Sequence, residues 1–261
     1  MKIAKKLIYV LIILLVIKLL FFKGKKQCER FENDIKTYII NLDRSPDRLK
    51  DMTEKCKKAN LNFERFPAYD GSKLNLNKMI DDKILVKENN MMIGAIGCSM
   101  SHLNLWKQSI DRGDEIVLVL EDDCIIPENF WEKFNIYYKQ LPSNWDLFYL
   151  GASNINGKKI SDNILTPNKN IVSTSTENTG MYAMLIKKKL LKVLYDNVIP
   201  IRDNIDQTVK NDVFNKINVY IANPPIITHD NDVDSMRRII SNRSNTTNWF
   251  KYVQNVVKVT N

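Results

Sequence analysis

Residues 116–123 read Ile116-Val-Leu-Val-Leu120-Glu121-Asp122-Asp123, five apolar residues running straight into three carboxylates. A continuous apolar run of branched side chains is the pattern of a strand buried on both faces, as in a sheet covered by helices on either side. The carboxylates then stand at its carboxyl end, the edge where open α/β sheets bind their ligands. Adjacent carboxylates repel one another, which raises the pKa of at least one unless a cation compensates. A hard divalent cation, Mn²⁺ or Mg²⁺, with oxygen ligands and positions open to phosphate, supplies that compensation. The plain alternative is a solvated acidic turn, and the buried strand before it argues against one.

The same logic extends in both directions. Lys36–Leu42 is β-branched and aromatic and predicts a strand. It breaks at Asp43-Arg44-Ser45-Pro46, where Ser45 as N-cap and Pro46 as first helical residue open a helix to about Ala59. Leu49, Met52 and Cys56 form its inner stripe. Asn62–Ala68 predicts a second strand, ending at Tyr69-Asp70-Gly71, and residues 72–95 a loop over one face. A helix follows from about Cys98 to Asp111, with Leu103, Trp106 and Ile110 inward.

Beyond the acidic triplet, Pro127 starts a helix carrying Phe130, Phe134 and Tyr137. Asp146–Leu150 is a short strand stopped by Gly151, and Met181–Ile186 another. Lys188–Asp196 and Ile205–Phe214 are helices, and Val219–Ala222 is a last strand. Strands alternating with helices predict an α/β fold with a mostly parallel central sheet. Charge gathers at three strand ends: Asp43, Arg44 and Arg48 after the first, Asp70 after the second, Glu121–Asp123 after the third.

Other candidates are single residues. His102 near a helix start reads more readily as a structural hydrogen-bonder. His229, after the last strand, is a candidate metal ligand. Asp206 opens a helix, where capping and catalysis are equal readings. There is no Gly-rich phosphate loop of either the Walker or the dinucleotide type, and no G-x-S-x-G elbow.

The net charge of +9 invites a nucleic-acid partner, but residues 1–30 hold eight Lys/Arg against the single acid Glu29. The other 231 residues carry 31 basic and 29 acidic groups, so the globular part is nearly neutral and no nucleic acid is expected. Leu7–Phe22 is apolar except for Lys18 and is flanked by lysines; no small-residue cleavage site follows it. An uncleaved signal anchor over residues 1–22 is expected, followed by a polar stem (23–34), one domain (35–240) and a C-terminal tail (241–261). That predicts a single-pass membrane protein of type II, its catalytic domain lumenal or external. The four cysteines show no C-x-x-C spacing, which disfavours structural zinc. Sequons stand at Asn242 and Asn245.

Taken together the motifs resemble glycosyltransferase family 25, the lipooligosaccharide and procollagen galactosyltransferases. The resemblance rests on Tyr38-Ile-Ile-Asn-Leu-Asp43-Arg-Ser-Pro-Asp-Arg48, Phe63-Glu-Arg-Phe-Pro-Ala-Tyr-Asp70-Gly71, Gly97-Cys-Ser-Met-Ser-His102-Leu-Asn-Leu-Trp106 and Val117-Leu-Val-Leu-Glu-Asp-Asp123. It extends over roughly residues 36–240. It implies a GT-A fold, a nucleoside-diphosphate-sugar donor, Mn²⁺ or Mg²⁺, and inversion at the anomeric carbon. By that resemblance Asp123 ligates the metal, and Glu121 or Asp122 contacts the nucleoside or donor sugar. Asn41, Arg44, Arg48 and Asp70 line the nucleotide pocket. Family members usually carry Glu where this chain has Ala95, and Asp-Glu where it has Asp206-Gln207. Asp206 is the candidate general base, with Glu177 as alternative.

The expected reaction is transfer of a hexose, galactose before glucose, from a UDP-sugar to a glycan or a hydroxylated protein such as collagen. The rival readings are an inactive membrane-anchored sugar-binding scaffold of the same fold and a nucleotidyltransferase. The latter usually brings a glycine- and Lys/Arg-rich triphosphate loop, and none is found here.

Overall fold

The computed structural model describes residues 34–88, 90–168 and 177–230, together with Lys18. The expected anchor, nearly all of the stem, the sequons and the tail lie outside the described residues. No helix among the described residues is long and apolar enough to cross a membrane.

Strand β1 (Ile35–Asn41) leads through a tight turn into helix α1 (Pro46–Lys58), with Pro46 at its start. Ser45 stands at the N-cap position but makes no side-chain cap bond, contrary to the sequence reading. Its backbone carbonyl instead accepts from Asn41 Nδ2 at 3.0 Å, so the side chain from β1 stiffens the turn. Strand β2 (Glu64–Pro67) follows. Residues 72–95 are not a plain loop. They hold a 3-10 turn (Gly71–Lys73) capped by Asp70 and a short helix α2 (Leu76–Asp81) capped by Asn75.

Helix α3 (Ile93–Arg112) begins a full turn before the expected start. Its glycines explain the discrepancy. A Cβ on Gly97 would meet Tyr69 O at 2.6 Å and Gly71 N at 2.7 Å, and one on Gly71 would meet Ile93 O at 1.9 Å. Glycine here marks the helix packed tightly on the 69–71 loop, not a break in it.

Then come β3 (Ile116–Glu121), β4 (Cys124–Ile125), α4 (Phe130–Tyr138), β5 (Leu147–Ser153), β6 (Lys158–Lys159), β7 (Ile164–Thr166) and β8 (Thr179–Lys187). Helices α5 (Lys188–Val198) and α6 (Ile205–Asp212) and strands β9 (Val219–Ala222) and β10 (Thr228–His229) complete the described chain. Gly151 does not stop β5. A Cβ there would meet Ile227 O at 2.1 Å and the Tyr182 ring at 2.6 Å, and the ladder to β8 shifts register around it. It reads as a bulge under close approach rather than a terminator.

The described sheet has the order β2-β1-β3-β8-β5-β9-β7-β6. Strands β2, β1, β3, β5 and β9 run one way, so the sheet is mostly parallel in direction. Two strands depart: β7 lies antiparallel to β9 and β6 toward one edge, and β8 lies antiparallel between β3 and β5, in the middle of the sheet. Both of its neighbours and both sheet faces bury it, so its apolar run carries no sign of its direction.

Helices cover both faces. One core packs Leu103, Trp106, Leu190, Leu194 and Val209 against Val117, Val119, Tyr149 and Met184. The other packs Met52, Cys56, Phe130 and Phe134 against Ile39, Leu118, Leu120 and Phe148. Val117–Leu120 are fully buried, so the carboxyl end of β3 is the first place where its chain meets solvent.

Candidate active site

A cleft of about 340 Å³ opens at the carboxyl ends of β1 and β3. Register builds it. Ile40 lies opposite Glu121 across the parallel β1–β3 pair, which sets Asn41 beside Asp122. Asn41 Nδ2 donates to Asp122 Oδ2 at 2.7 Å, and Asn41 is itself held by Arg65, whose Nε donates to Asn41 Oδ1 at 3.0 Å. From the first turns of α1, Arg48 reaches back over the triplet, 2.7 Å from Asp122 Oδ1 and 3.3 Å from Asp123 Oδ2.

The repulsion anticipated among the three carboxylates is therefore met partly by the protein's own guanidinium. Burial pushes the Asp122 carboxyl above the usual range; Arg48 and the Asn41 amide pull in the opposite direction. Asp122 is consumed by these internal bonds. Asp123 is not: its Oδ1 is buried and has no hydrogen-bond partner. An unpaired buried carboxylate oxygen carries a full desolvation cost, and a hard cation would remove it.

Glu121, Asp122, Asp123, Arg44, Arg48, Asp206 and His229 all line this cleft. Asn41 sits buried beneath it. Asp70 lines an adjoining groove, and its ion pair with Arg44 stands where the two spaces meet. That guanidinium, with the Ser72 hydroxyl and amide, holds the Asp70 carboxyl down at about 2. Glu177 is not among the cleft-lining residues; it lies in the turn leading to β8.

Asp206 occupies the first turn of α6. Its Oδ2 accepts the Gly180 N–H at 3.0 Å and its Oδ1 the Gln207 N–H at 2.9 Å, so the carboxylate is oriented by two backbone donors. His229 belongs to the two-residue ladder β10–β4, opposite Cys124, with its ring 4.7 Å from that of Tyr182. The next amide, Asp230 N–H, donates to Asp123 O at 2.9 Å, which ties this late segment to the acidic triplet.

Some residues of the cleft carried no clear mark in the sequence. Tyr182 and Gly180 come from β8, and Gly180 has φ +89, the left-handed region that favours glycine. Ser101 fixes the wall by accepting the Tyr69 N–H at 2.8 Å while donating to Gly97 O at 2.7 Å. Cys98 also lines the cleft, one helical turn from His102; that four-residue spacing was the available signal. Among the described residues, the three donor side chains whose ligand atoms lie within 4.8 Å of one another are Cys98, His102 and Glu121. That set does not include Asp123 or His229.

The fold, then, gathers acid, base and guanidinium at the carboxyl edge of an α/β sheet. The family model described as glycosyltransferase family 25 (LPS biosynthesis protein) matches residues 34–209, and the chain belongs to that family. It is 33% identical over 187 residues to the procollagen lysyl hydroxylase and glycosyltransferase of Acanthamoeba polyphaga mimivirus, covering 63% of this chain and 20% of that one. It is 31% identical over 135 residues to human procollagen galactosyltransferase 2, covering 47% of this chain and 21% of that one. Human inactive glycosyltransferase 25 family member 3 is 27% identical over 133 residues, covering 47% and 22%. The chain thus spans about a fifth of the length of each of these relatives.

Proposed function

We propose that this chain transfers a hexose, galactose first and glucose second, from a UDP-sugar to an acceptor hydroxyl with inversion, using Mn²⁺ or Mg²⁺. The observation that carries the reading is the buried, unpartnered Oδ1 of Asp123 in a cleft that also holds Arg48 and Asp206. Asp123 is the residue to hold the metal, with His229 the other donor lining the same cleft, and Glu121 or Asp122 would contact the nucleoside or donor sugar. When bound, the metal would stabilise the negative charge of the leaving diphosphate.

The chain's own residues do the rest. Arg48 bridges Asp122 and Asp123 at the mouth of β3 and offers its guanidinium to phosphate. Arg44 lines both the cleft and the adjoining groove with Asp70, the pair that would flank a nucleotide. Asp206, its rotamer fixed by Gly180 and Gln207 N–H groups, would take the acceptor proton as the acceptor oxygen attacks C1. Glu177, outside the cleft lining, is the weaker choice.

A second reading, an inactive sugar-binding scaffold, draws on Ala95. This residue lines the cleft where the family usually presents Glu, and its methyl brings no polar group to a substrate. Gln207 removes a second carboxylate. The acceptor in either case is a glycan or a hydroxylated protein, and residues 1–22 would anchor the domain to a membrane with its site lumenal or external.

Screening UDP-sugars for slow hydrolysis and transfer in Mn²⁺ separates the two. Turnover with UDP-galactose or UDP-glucose supports the transferase. UDP binding with no turnover on any acceptor hydroxyl supports the scaffold.

A further inference from the structure

We infer that Cys98, His102 and Glu121 form a second metal site in this cleft, one that takes a thiophilic divalent cation of the Zn²⁺ class and is separate from the hard-cation site at Asp123. Cys98 and His102 project from the same face of α3, four residues apart, the spacing by which a helix presents two ligands to one ion. Cys98 Sγ lies 3.7 Å from His102 Nδ1 and 4.0 Å from Glu121 Oε1. Tetrahedral zinc, with bonds of about 2.0–2.3 Å, places neighbouring donors about 3.5 Å apart. Small side-chain shifts close the difference.

The donor types select the metal. Thiolate, imidazole and carboxylate are a zinc set, whereas the harder Mn²⁺ and Mg²⁺ favour oxygen-rich sets without thiolate. The surroundings also prepare the ligands. His102 is fully buried, with a backbone carbonyl near each ring nitrogen. Its Nε2 lies 3.4 Å from Met181 O. Donating Nδ1–H to Cys98 O, 3.1 Å away, leaves Nε2, 3.9 Å from Glu121 Oε1, as the ligand atom; a backbone carbonyl on the other nitrogen is the usual orienting partner of a metal-bound histidine. The Cys98 thiol loses its proton to solvent as the S–metal bond forms. All three residues line the cleft, which supplies an entry path and leaves the fourth position to water.

Co²⁺ reports the site directly, through a thiolate-to-cobalt charge-transfer band that Zn²⁺ abolishes. The full chain, purified in detergent, should show the band at one Co²⁺ per chain. Cys98→Ser should abolish the band and weaken Zn²⁺ binding at least as much as losing an outer-shell partner does, roughly 10–100-fold. Its thermal melt without metal should match wild type. Asp123→Ala should keep the band, whatever happens to UDP binding, which separates this site from the proposed transferase site. A wild-type chain without the band, or a band that survives in Cys98→Ser, overturns the assignment.

Discussion

Asn41 and Asp122 are joined side chain to side chain by a 2.7 Å hydrogen bond beneath the cleft floor, across 81 residues of sequence. Asn41 is 1% exposed, and its other amide atom is held by Arg65. The bond converts the register of two parallel strands into a fixed carboxylate. Asn41→Leu should leave the buried Asp122 short of a donor and cost about 1.5–3 kcal/mol, the range for a hydrogen bond to a charged group. Denaturant unfolding of the variant beside wild type checks it. A loss under about 0.5 kcal/mol, the scale of an ordinary surface change, would show the bond to be incidental.

Gly97→Ala reverses an ordinary expectation. Alanine in place of glycine inside a helix normally gains about 1 kcal/mol. Here the new methyl would stand 2.6 Å from Tyr69 O and 2.7 Å from Gly71 N, both backbone atoms that cannot swing aside. Overpacking of this kind costs about 1–3 kcal/mol. The variant should melt lower than wild type; a higher melting temperature would mean that α3 does not press on the 69–71 loop.

Val119→Asp should remove the cooperative transition. Val119 is fully buried, paired with Tyr38 on one side and Met184 on the other. An uncompensated buried charge costs more than about 3 kcal/mol, a large share of a domain's stability. Circular dichroism melting reads this out, and a melt within a few degrees of wild type would displace β3 from the sheet's centre.

Asp70 titrates at about 2 because of the Arg44 guanidinium first, then Ser72. A depressed carboxylate contributes stability above its unfolded value of 3.8, and that contribution is lost as pH falls through about 2. Arg44→Met should move the Asp70 titration back toward 3.8, followed by NMR of the carboxyl carbon. An unmoved titration would assign the depression to the Ser72 donors instead.

How much of this was legible in the sequence varies with the kind of signal. Ile116–Leu120 and the acidic triplet announced both the central strand and the cleft edge, since burial on two faces and charge at one end are local patterns. The helix stripes Phe130/Phe134/Tyr137 and Leu103/Trp106 fell inward for the same reason. What stayed hidden depends on distant partners. The direction of β8 is a property of its neighbours. Gly151 reads as a strand stop, and the expected helix start falls just after Gly97, because the backbone atoms that exclude a side chain at these glycines come from Ile227 and Tyr69. The ladder that ties His229 to Cys124 is only two residues long, below any periodic signal. Arg48's role was partly visible: its position in the first turn of α1 was, its bridge between Asp122 and Asp123 was not.

The central claim is that Asp123 holds the metal that holds the donor diphosphate. Isothermal titration of UDP into Asp123→Ala, with and without Mn²⁺ and beside a thermal melt, tests it most directly. The variant should lose the Mn²⁺-dependent part of UDP affinity. It should melt at or above the metal-free wild type, because removing an oxygen that is buried and unpaired relieves a cost. Wild-type Mn²⁺-dependent UDP affinity in Asp123→Ala would contradict the metal assignment and the transferase reading built on it.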